Sequence, residues 1–223
     1  MQLAHGSPGL IAFYDLTGQF VEGERLLSAA AQQAIGQAGA KLLIGHALFL
    51  HRLSRYSEAV AQAGAALTLA QEAGAQNLEI AARVRQGDSL QRLGAFEEAV
   101  ATLSTALTLA QQAELPALEC EALSYLGFIA REQGAYEAAQ AHYSAALELA
   151  GTLGHTWERC RLLNHLGGVA EYQGRFAAAR AYWDEGLALA ETLGARWLVG
   201  CFQGNLENLD RNIGHYAAAR ANY

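Results

Sequence analysis

The sequence predicts an all-α fold, a solenoid of antiparallel helical hairpins, and three observations carry the prediction. A short pattern recurs six times: a small residue, any residue, an aromatic, and another small residue three places on. Between recurrences the apolar residues fall three and four apart, which is the period of one buried helix face. Alanine is abundant beside Leu, Glu, Gln and Arg, which lose little side-chain entropy in a helix. Prolines number only two, Pro8 and Pro116, and alternating runs of Val, Ile and Thr are absent.

The recurrences are Gly18-Gln-Phe20, Ser54-Arg-Tyr56, Gly94-Ala-Phe96, Gly134-Ala-Tyr136, Gly174-Arg-Phe176 and Gly214-His-Tyr216, with Gly23, Ala59, Ala99, Ala139, Ala179 and Ala219 as the following small residues. The aromatics stand 36, 40, 40, 40 and 40 residues apart. A first hairpin over about 8–37 is expected to start near Pro8, where proline suits an opening turn, so its first helix is short. Hairpins over 38–75 and 76–115 follow, turning at Ser54 and Gly94. The fourth, 116–155, shows its pattern most clearly. A helix over 120–133 carries Leu123, Leu126, Gly127 and Ala130, and one over 136–149 carries Tyr136, Ala139, Tyr143, Ala146 and Leu147. The fifth, 156–195, turns at Gly174. The sixth, 196–223, has a full first helix, a turn at Gly214 and a second helix stopping at Tyr223.

At each turn a glycine ends the first helix because it takes the left-handed conformation cheaply. The aromatic opens the second helix and packs back into the hairpin. Tyr56, Phe96, Tyr136, Phe176 and Tyr216 are therefore expected in the core with Trp183 and Leu187. Burying one such side chain contributes about 1.5–3 kcal/mol. Trp157 and Trp197, at starts of first helices, are expected to cover junctions between repeats. Neither end shows the polar capping helix that closes a solenoid. That predicts a segment of a longer protein, or ends covered by a partner or a second copy.

Several positions agree at once in Leu126-Gly127…Gly134-Ala-Tyr136-Glu-Ala-Ala139…Tyr143…Ala146 and in Leu166-Gly167…Gly174-Arg-Phe176-Ala-Ala-Ala179…Trp183. On these residues the hairpin resembles the tetratricopeptide repeat, over nearly the whole chain. Two features depart from the family pattern. The usual period is about 34 residues, against forty here, and the closing proline is missing except near Pro116. Lengthened repeats of this kind are similar to those of bacterial signal-transduction ATPases and transcription regulators; residues 163–194 resemble the bacterial regulator kind most. The resemblance implies a right-handed superhelix whose concave groove is lined by the first helices, and a protein or peptide ligand in that groove.

Composition narrows the function. The net charge is −7 with fifteen Lys and Arg together, which argues against direct nucleic-acid binding. No stretch of eighteen apolar residues and no signal peptide is present, so no membrane partner is expected. Cys120, Cys160 and Cys201 form no disulfide framework and are read as small packing residues, in keeping with a reducing cytoplasm. Phosphate loops, paired-histidine zinc motifs and nucleophile elbows are absent. His46 and His51 are five residues apart, on different helix faces, so no metal site is expected. Gly127, Gly167 and Gly168 are read as close-packing positions at a helix crossing. Glu132 and His165 are the only acid–base candidates. No cofactor and no catalysis are expected.

The groove residues are those off the apolar stripe of each first helix. They include Ile44, Leu48, His51, Arg52, Val84, Arg85, Asp88, Gln91, Arg92, Glu121, Ser124, Tyr125, Phe128 and Arg131. Further along stand Arg161, Asn164, His165, Glu171, Tyr172, Asn205, Asn208, Arg211 and Asn212. Arginines recur at 52, 85, 92, 131, 161 and 211, suited to gripping carboxylates of an acidic ligand. Asn164, Asn205, Asn208 and Asn212 suit an extended backbone, because an amide both donates and accepts. Tyr125, Phe128 and Tyr172 offer aromatic anchors. The expected function is a non-catalytic binding scaffold, the partner-binding or sensor array of a larger regulatory protein. The alternative is a self-assembling solenoid whose uncapped ends form a dimer or filament.

Overall fold

Helix-forming segments of nearly constant length, punctuated by left-handed turns, account for what the chain builds. The computed structural model describes the backbone at residues 2–31 and 35–221 and side-chain environments at 9–31 and 35–214. Among the described residues every element is helical: α1 (Gln2–Thr17), α2 (Phe20–Ala31), α3 (Gly36–Arg52), α4 (Tyr56–Glu72), α5 (Gln76–Arg92), α6 (Phe96–Gln112), α7 (Pro116–Glu132), α8 (Tyr136–Thr152), α9 (Thr156–Tyr172), α10 (Phe176–Thr192) and α11 (Arg196–Ala221). The fold is the all-α solenoid of hairpins that the repeat predicts. The chain divides into two units, Met1–Tyr125 and Leu126–Tyr223, the boundary falling inside α7.

The α5–α6 turn shows how each hairpin closes. Gly94 takes φ +76°. Its N–H donates to Gln91 O at 3.0 Å, and the Ala95 N–H donates to Leu90 O at 3.1 Å. This is the Schellman arrangement, which satisfies carbonyls orphaned at a helix end. Ser54 makes the same turn at φ +60°, with Arg55 N–H donating to Leu50 O at 2.8 Å. The hairpin imposes the turn even where no glycine lightens its cost.

From α4 on, each second helix buries four residues spaced four, three and four apart, whereas α2 buries Gly23 and Leu27. They are Ala59, Ala63, Ala66 and Ala70 in α4, and Ala99, Leu103, Ala106 and Ala110 in α6. Ala139, Tyr143, Ala146 and Ala150 follow in α8, then Ala179, Trp183, Gly186 and Ala190 in α10. Three of the four stay small, which lets helices approach closely. From α4 on, the second grows along the chain from Ala to Leu, Tyr and Trp, the α2 equivalent being Leu27. For α4, α6, α8 and α10 the residue sixteen earlier is Ala47, Gly87, Gly127 and Gly167 in turn, glycine opposite each of Leu103, Tyr143 and Trp183. A Cβ at Gly87 would overlap Leu103, and one at Gly167 would overlap the Trp183 indole. At Gly127 it would stand 2.8 Å from the Tyr143 ring. In the first unit Ile80, Val84, Ala106, Ala110 and Ala122 knit α5, α6 and α7. In the second, Cys160, Trp183, Leu198, Phe202 and Leu209 knit α9, α10 and α11.

Several expectations need correction. The first helix begins at Gln2 and carries Pro8 inside it. Proline's fixed φ is itself helical, so a helix can run through it at the loss of one backbone bond. The sixth turn does not form: α11 runs on through Gly214 to Ala221. Glycine permits the left-handed turn without compelling it, and Gly214 keeps helical backbone here. The side chains of Tyr216 and Ala219 lie outside the described residues. Tyr56, Phe96, Tyr136 and Phe176 are half-buried rather than buried, because they sit at the hairpin mouth. Trp157 and Trp197 cover little, being 51% and 70% exposed. A Cβ at Gly168 would meet nothing within 4 Å, so only Gly127 and Gly167 sit at tight crossings. Cys120 and Cys160 are buried, whereas Cys201 is only partly so.

Candidate functional site

A repeat of about forty residues sets equivalent positions of successive first helices side by side. Polar groups on that face therefore meet partners one period away. In the first unit Arg52 grips Asp15, 37 residues back, through Nε at 2.9 Å and Nη2 at 3.2 Å. His51 Nδ1 lies 3.3 Å from Ser89 Oγ, 38 residues on. Arg85 Nη2 donates to Glu121, and Nη1 to the Tyr125 hydroxyl at 3.4 Å, with the guanidinium 5.9 Å from that ring's centre.

Asp88 is the hub of this unit. It accepts from Gln91 Nε2 at 2.9 Å and has Arg85 Nη1 at 3.8 Å and His51 Nε2 at 3.6 Å. Burial lowers the His51 pKa; Asp88 raises it, and Arg92, Arg85 and Arg52 lower it again. Ser89, His51 and Asp88 thus stand in the order of a nucleophilic triad. They cannot act as one: Ser89 is 1% exposed, and His51 to Asp88 exceeds hydrogen-bond length. The set is an internal polar network.

The second unit uses the same face differently. Asn205 Nδ2 donates to Asn164 Oδ1 at 2.7 Å, and Asn212 Nδ2 to Glu171 Oε1 at 2.9 Å, each pair 41 residues apart. Arg131 Nη1 lies 3.5 Å from His165 Nδ1, while its Nη2 donates to Glu132 at 2.7 Å and its guanidinium covers Phe128 at 4.8 Å. Arg161 reaches Glu158 at 3.5 Å. The His165 ring stacks on Tyr143, centres 5.0 Å apart and 12° from parallel. Burial, then Arg161 and Arg131, drive the His165 pKa down to about 3, so the ring is neutral at pH 7. Tyr143 is fully buried, yet its hydroxyl has no hydrogen-bond partner. Burial pushes its pKa up. Tyr172 is 68% exposed and stacks on Tyr136, centres 5.5 Å apart.

Of the expected groove residues, the structure brings Arg52, Arg85 and Tyr125 into the first-unit network. Phe128, Arg131, Arg161, Asn164, Tyr172 and Asn205 lie on the second-unit face. Arg92, Asn208 and Arg211 are exposed. Val84 is not a groove residue: it is fully buried against Ala106, Ala110 and Ala122. Asp88, Gln91 and Ser124 are buried as well. A first helix within an array is flanked by helices of the next repeat, so its exposed stripe is narrower than one hairpin suggests. Tyr125 and Phe128 are half-buried. Asp15 was not expected at the face, nor was an unpartnered hydroxyl at the buried Tyr143. Scanning for complementary charges 36 to 41 residues apart finds Asp15 with Arg52 and Arg85 with Glu121; nothing in the sequence separates Tyr143 from core. Among the described residues no three His, Cys, Asp or Glu could hold a metal, and no helix is long and apolar enough to cross a membrane.

Residues 118–192 match the family model of the tetratricopeptide repeat. By sequence, no curated protein matches the chain. Among solved structures, the apo form of RapI has a TM-score of 0.74 at 15% identity, covering 94% of this chain and 81% of that one. The Rap conjugation gene regulator of plasmid pLS20, in complex with the Phr* peptide, has a TM-score of 0.74 at 15% identity, covering 86% and 55%. A signal transduction ATPase with numerous domains and a tetratricopeptide repeat sensor, from Pyrococcus horikoshii, has a TM-score of 0.70 at 14% identity, covering 89% and 30%. This chain thus spans 55% of the plasmid regulator and 30% of the ATPase. At these identities the likeness is one of fold.

Proposed function

We propose that this chain, a protein of tetratricopeptide-type repeats, is a non-catalytic array that binds a protein or peptide. It would serve as the partner-binding or sensor segment of a larger cytoplasmic regulatory protein. One observation carries the reading: the first helices hold polar and aromatic side chains at fixed, period-spaced positions on one face, as in Arg85 with Tyr125 and Asn164 with Asn205. Solenoids bind extended ligands on such faces. A neighbour of the same fold is in complex with a peptide, and another uses its repeats as a sensor. Catalysis lacks support, since the one triad-like set is buried and His165 is held neutral.

The test is capture from lysate by this chain beside a variant with Arg92, Arg131, Asn164 and Arg211 changed to Ala, the two matched for helicity. A partner kept by the first and lost by the second is expected. Equal recovery, or none, would sink the reading. The exposed Trp157 and Trp197 favour a second reading, self-association through apolar surface. Light scattering over a concentration series separates the two, because self-association predicts a mass that rises above 23.8 kDa.

A further inference from the structure

We infer that the exposed face of Tyr172, in the second unit, is a docking platform for a basic side chain of the bound peptide or protein, an arginine above all. The ring and the carboxylates of Glu137 and Glu171 hold it. The inference rests on the binding reading above and names the chemistry of one residue of the ligand.

The platform begins with an aromatic that the repeat does not need. At the place of Tyr172 the earlier repeats carry Arg52, Arg92 and Glu132, and the next one carries Asn212. The place of Tyr136, by contrast, is aromatic in every recurrence of the motif. Tyr136 is part of the hairpin, and Tyr172 is an addition to it. The two rings stack at the seam between the start of α8 and the end of α9, centres 5.5 Å apart and 5° from parallel. One face of Tyr172 is covered in this way. The residue is nonetheless 68% exposed, so its other face meets solvent and a ligand needs no opening to reach it. A tyrosine held by stacking offers contact area with little left to order on binding.

Charge decides what that face takes. Gln173, next to Tyr172, donates through Nε2 to Glu137 Oε1 at 3.1 Å, which places Glu137 on the same seam. Glu171, the residue before Tyr172, accepts from Asn212 Nδ2 at 2.9 Å. Each carboxylate thus has a neutral amide as its partner, and among the described residues neither forms an ion pair. Arg175 is the cation of the seam, and it is turned to the side-chain oxygens of Gln140 and Gln173. Glu137 is exposed and Glu171 half-buried. A carboxylate has about four lone-pair sites, so both can accept from a ligand as well. Tyr172 is also the last residue of α9, and a helix C-terminus favours a cation. Arginine answers ring and charge together, since its planar guanidinium stacks on an aromatic face and forks onto carboxylates. The array makes this pairing itself: Arg85 lies 5.9 Å from the Tyr125 ring centre and Arg131 4.8 Å from that of Phe128. Among the described residues no arginine covers Tyr172, so the ligand supplies it. A basic group here is opposite in sign to the acidic ligand suggested by the recurring arginines, several of which are taken by acids of the chain itself.

The experiment is a titration of the full chain with N-acetyl-arginine amide, followed by ¹H–¹³C spectra of the tyrosine rings. N-acetyl-citrulline amide, the same shape without the charge, is the control. Saturable shifts of the Tyr172 and Tyr136 signals with the arginine compound alone are expected, weakening as salt is raised. Tyr172→Leu keeps an apolar cover on Tyr136 but removes the aromatic face. Read on the Tyr136 ring, it should weaken binding about threefold, the loss of one exposed cation–π contact. Glu137→Gln with Glu171→Gln keeps the oxygens that Gln173 and Asn212 bond, so the fold is retained. That pair should weaken binding about fivefold, the loss of two exposed ion pairs. The inference is overturned if the citrulline compound shifts the same signals equally, if the double glutamine variant binds as before, or if Tyr172→Leu folds and binds as before. Capture of a partner in the lysate test with no arginine response here removes the platform and leaves the binding array standing. An arginine response here beside equal recovery there does the reverse.

Discussion

The two units present the same helix face at the same register, yet they treat its polar groups in opposite ways. In the first, charges pair across repeats: Arg52 with Asp15, Arg85 with Glu121, and Asp88 with its ring of donors. In the second, the cross-repeat bonds on that face join at most one charged group, as in Asn164 with Asn205 and Asn212 with Glu171, and the arginines take acids from their own helices, Glu132 and Glu158. Much of the change traces to single substitutions at equivalent positions. Forty residues after Glu121 stands Arg161, and forty after Asp88 stands Phe128. The first-unit groups pair with residues of neighbouring repeats and so tie the repeats together. The second-unit arginines pair within their own helices and tie the repeats together less.

The largest effect that would break this comparison lies at Asp88. Asp88→Ala leaves Gln91 and Arg85 without their shared acceptor inside a buried network, and should destabilise the chain by about 3 kcal/mol. Glu132→Ala in the second unit removes only an exposed pair and should cost less than about 1 kcal/mol. Urea unfolding, with hydrogen exchange at α5 amides, measures both. Equal costs would mean that the first-unit network is no more structural than the second.

Next comes pH. The folded His165 titrates near 3, against about 6.5 in an unfolded chain. Above 6.5 both states are neutral, and the stability is fully present. As the pH falls below 6.5, the unfolded chain takes up a proton that the fold refuses, so stability declines toward pH 3. The slope approaches about 1.4 kcal/mol per pH unit. His51 shifts the same way, but Asp88 opposes its shift. Melting curves from pH 7.5 to 5 should therefore flatten more with His165→Gln than with His51→Gln. The reverse order would contradict the placing of His165 in a buried site where no carboxylate offsets burial and the arginine charges.

Much of the architecture was legible in the sequence because it is written redundantly. Glycine and aromatic punctuation, alanine stripes and a forty-residue period all specify the same hairpins, so losing the glycine at Ser54 changed nothing. The face was legible less well. Which helix surface is polar follows from one hairpin, but Val84 and Asp88 are buried by neighbours from the next repeat, which a single hairpin's pattern does not contain. The arginines were found, and their partners were not, since pairing depends on residues about 37 apart whose geometry only the stacked repeats fix. Tyr143 was the hardest: its place in the repeat is a core position, and only the solved environment shows a hydroxyl left over.

The glycines opposite the large knobs give a smaller and sharper contrast. Gly87→Ala would press a methyl into Leu103, and Gly167→Ala into the Trp183 indole. Overpacking of this kind costs about 1–3 kcal/mol. Leucine can change rotamer, whereas the indole is rigid and would also lose its bond to Asn164 O. Gly167→Ala should therefore lie at the upper end of that range and Gly87→Ala at the lower, by thermal unfolding. Equal losses would show that the growing knob series does not stiffen the second unit.

The smallest expected effect has the opposite sign. Gly168 is next to Gly167 in the same helix, has ordinary helical backbone and would meet nothing within 4 Å on gaining a Cβ. Alanine there removes the entropy a glycine loses on folding and introduces no clash, so Gly168→Ala should stabilise by about 0.5–1 kcal/mol. Two adjacent glycines would then respond in opposite directions to the same added methyl. That is what separates a glycine required by packing from one that merely occupies an open face. A destabilised Gly168→Ala would reveal a close neighbour at that position. The second-unit face would then be covered where it is read as open, and the contrast with the first unit would fail at its simplest point.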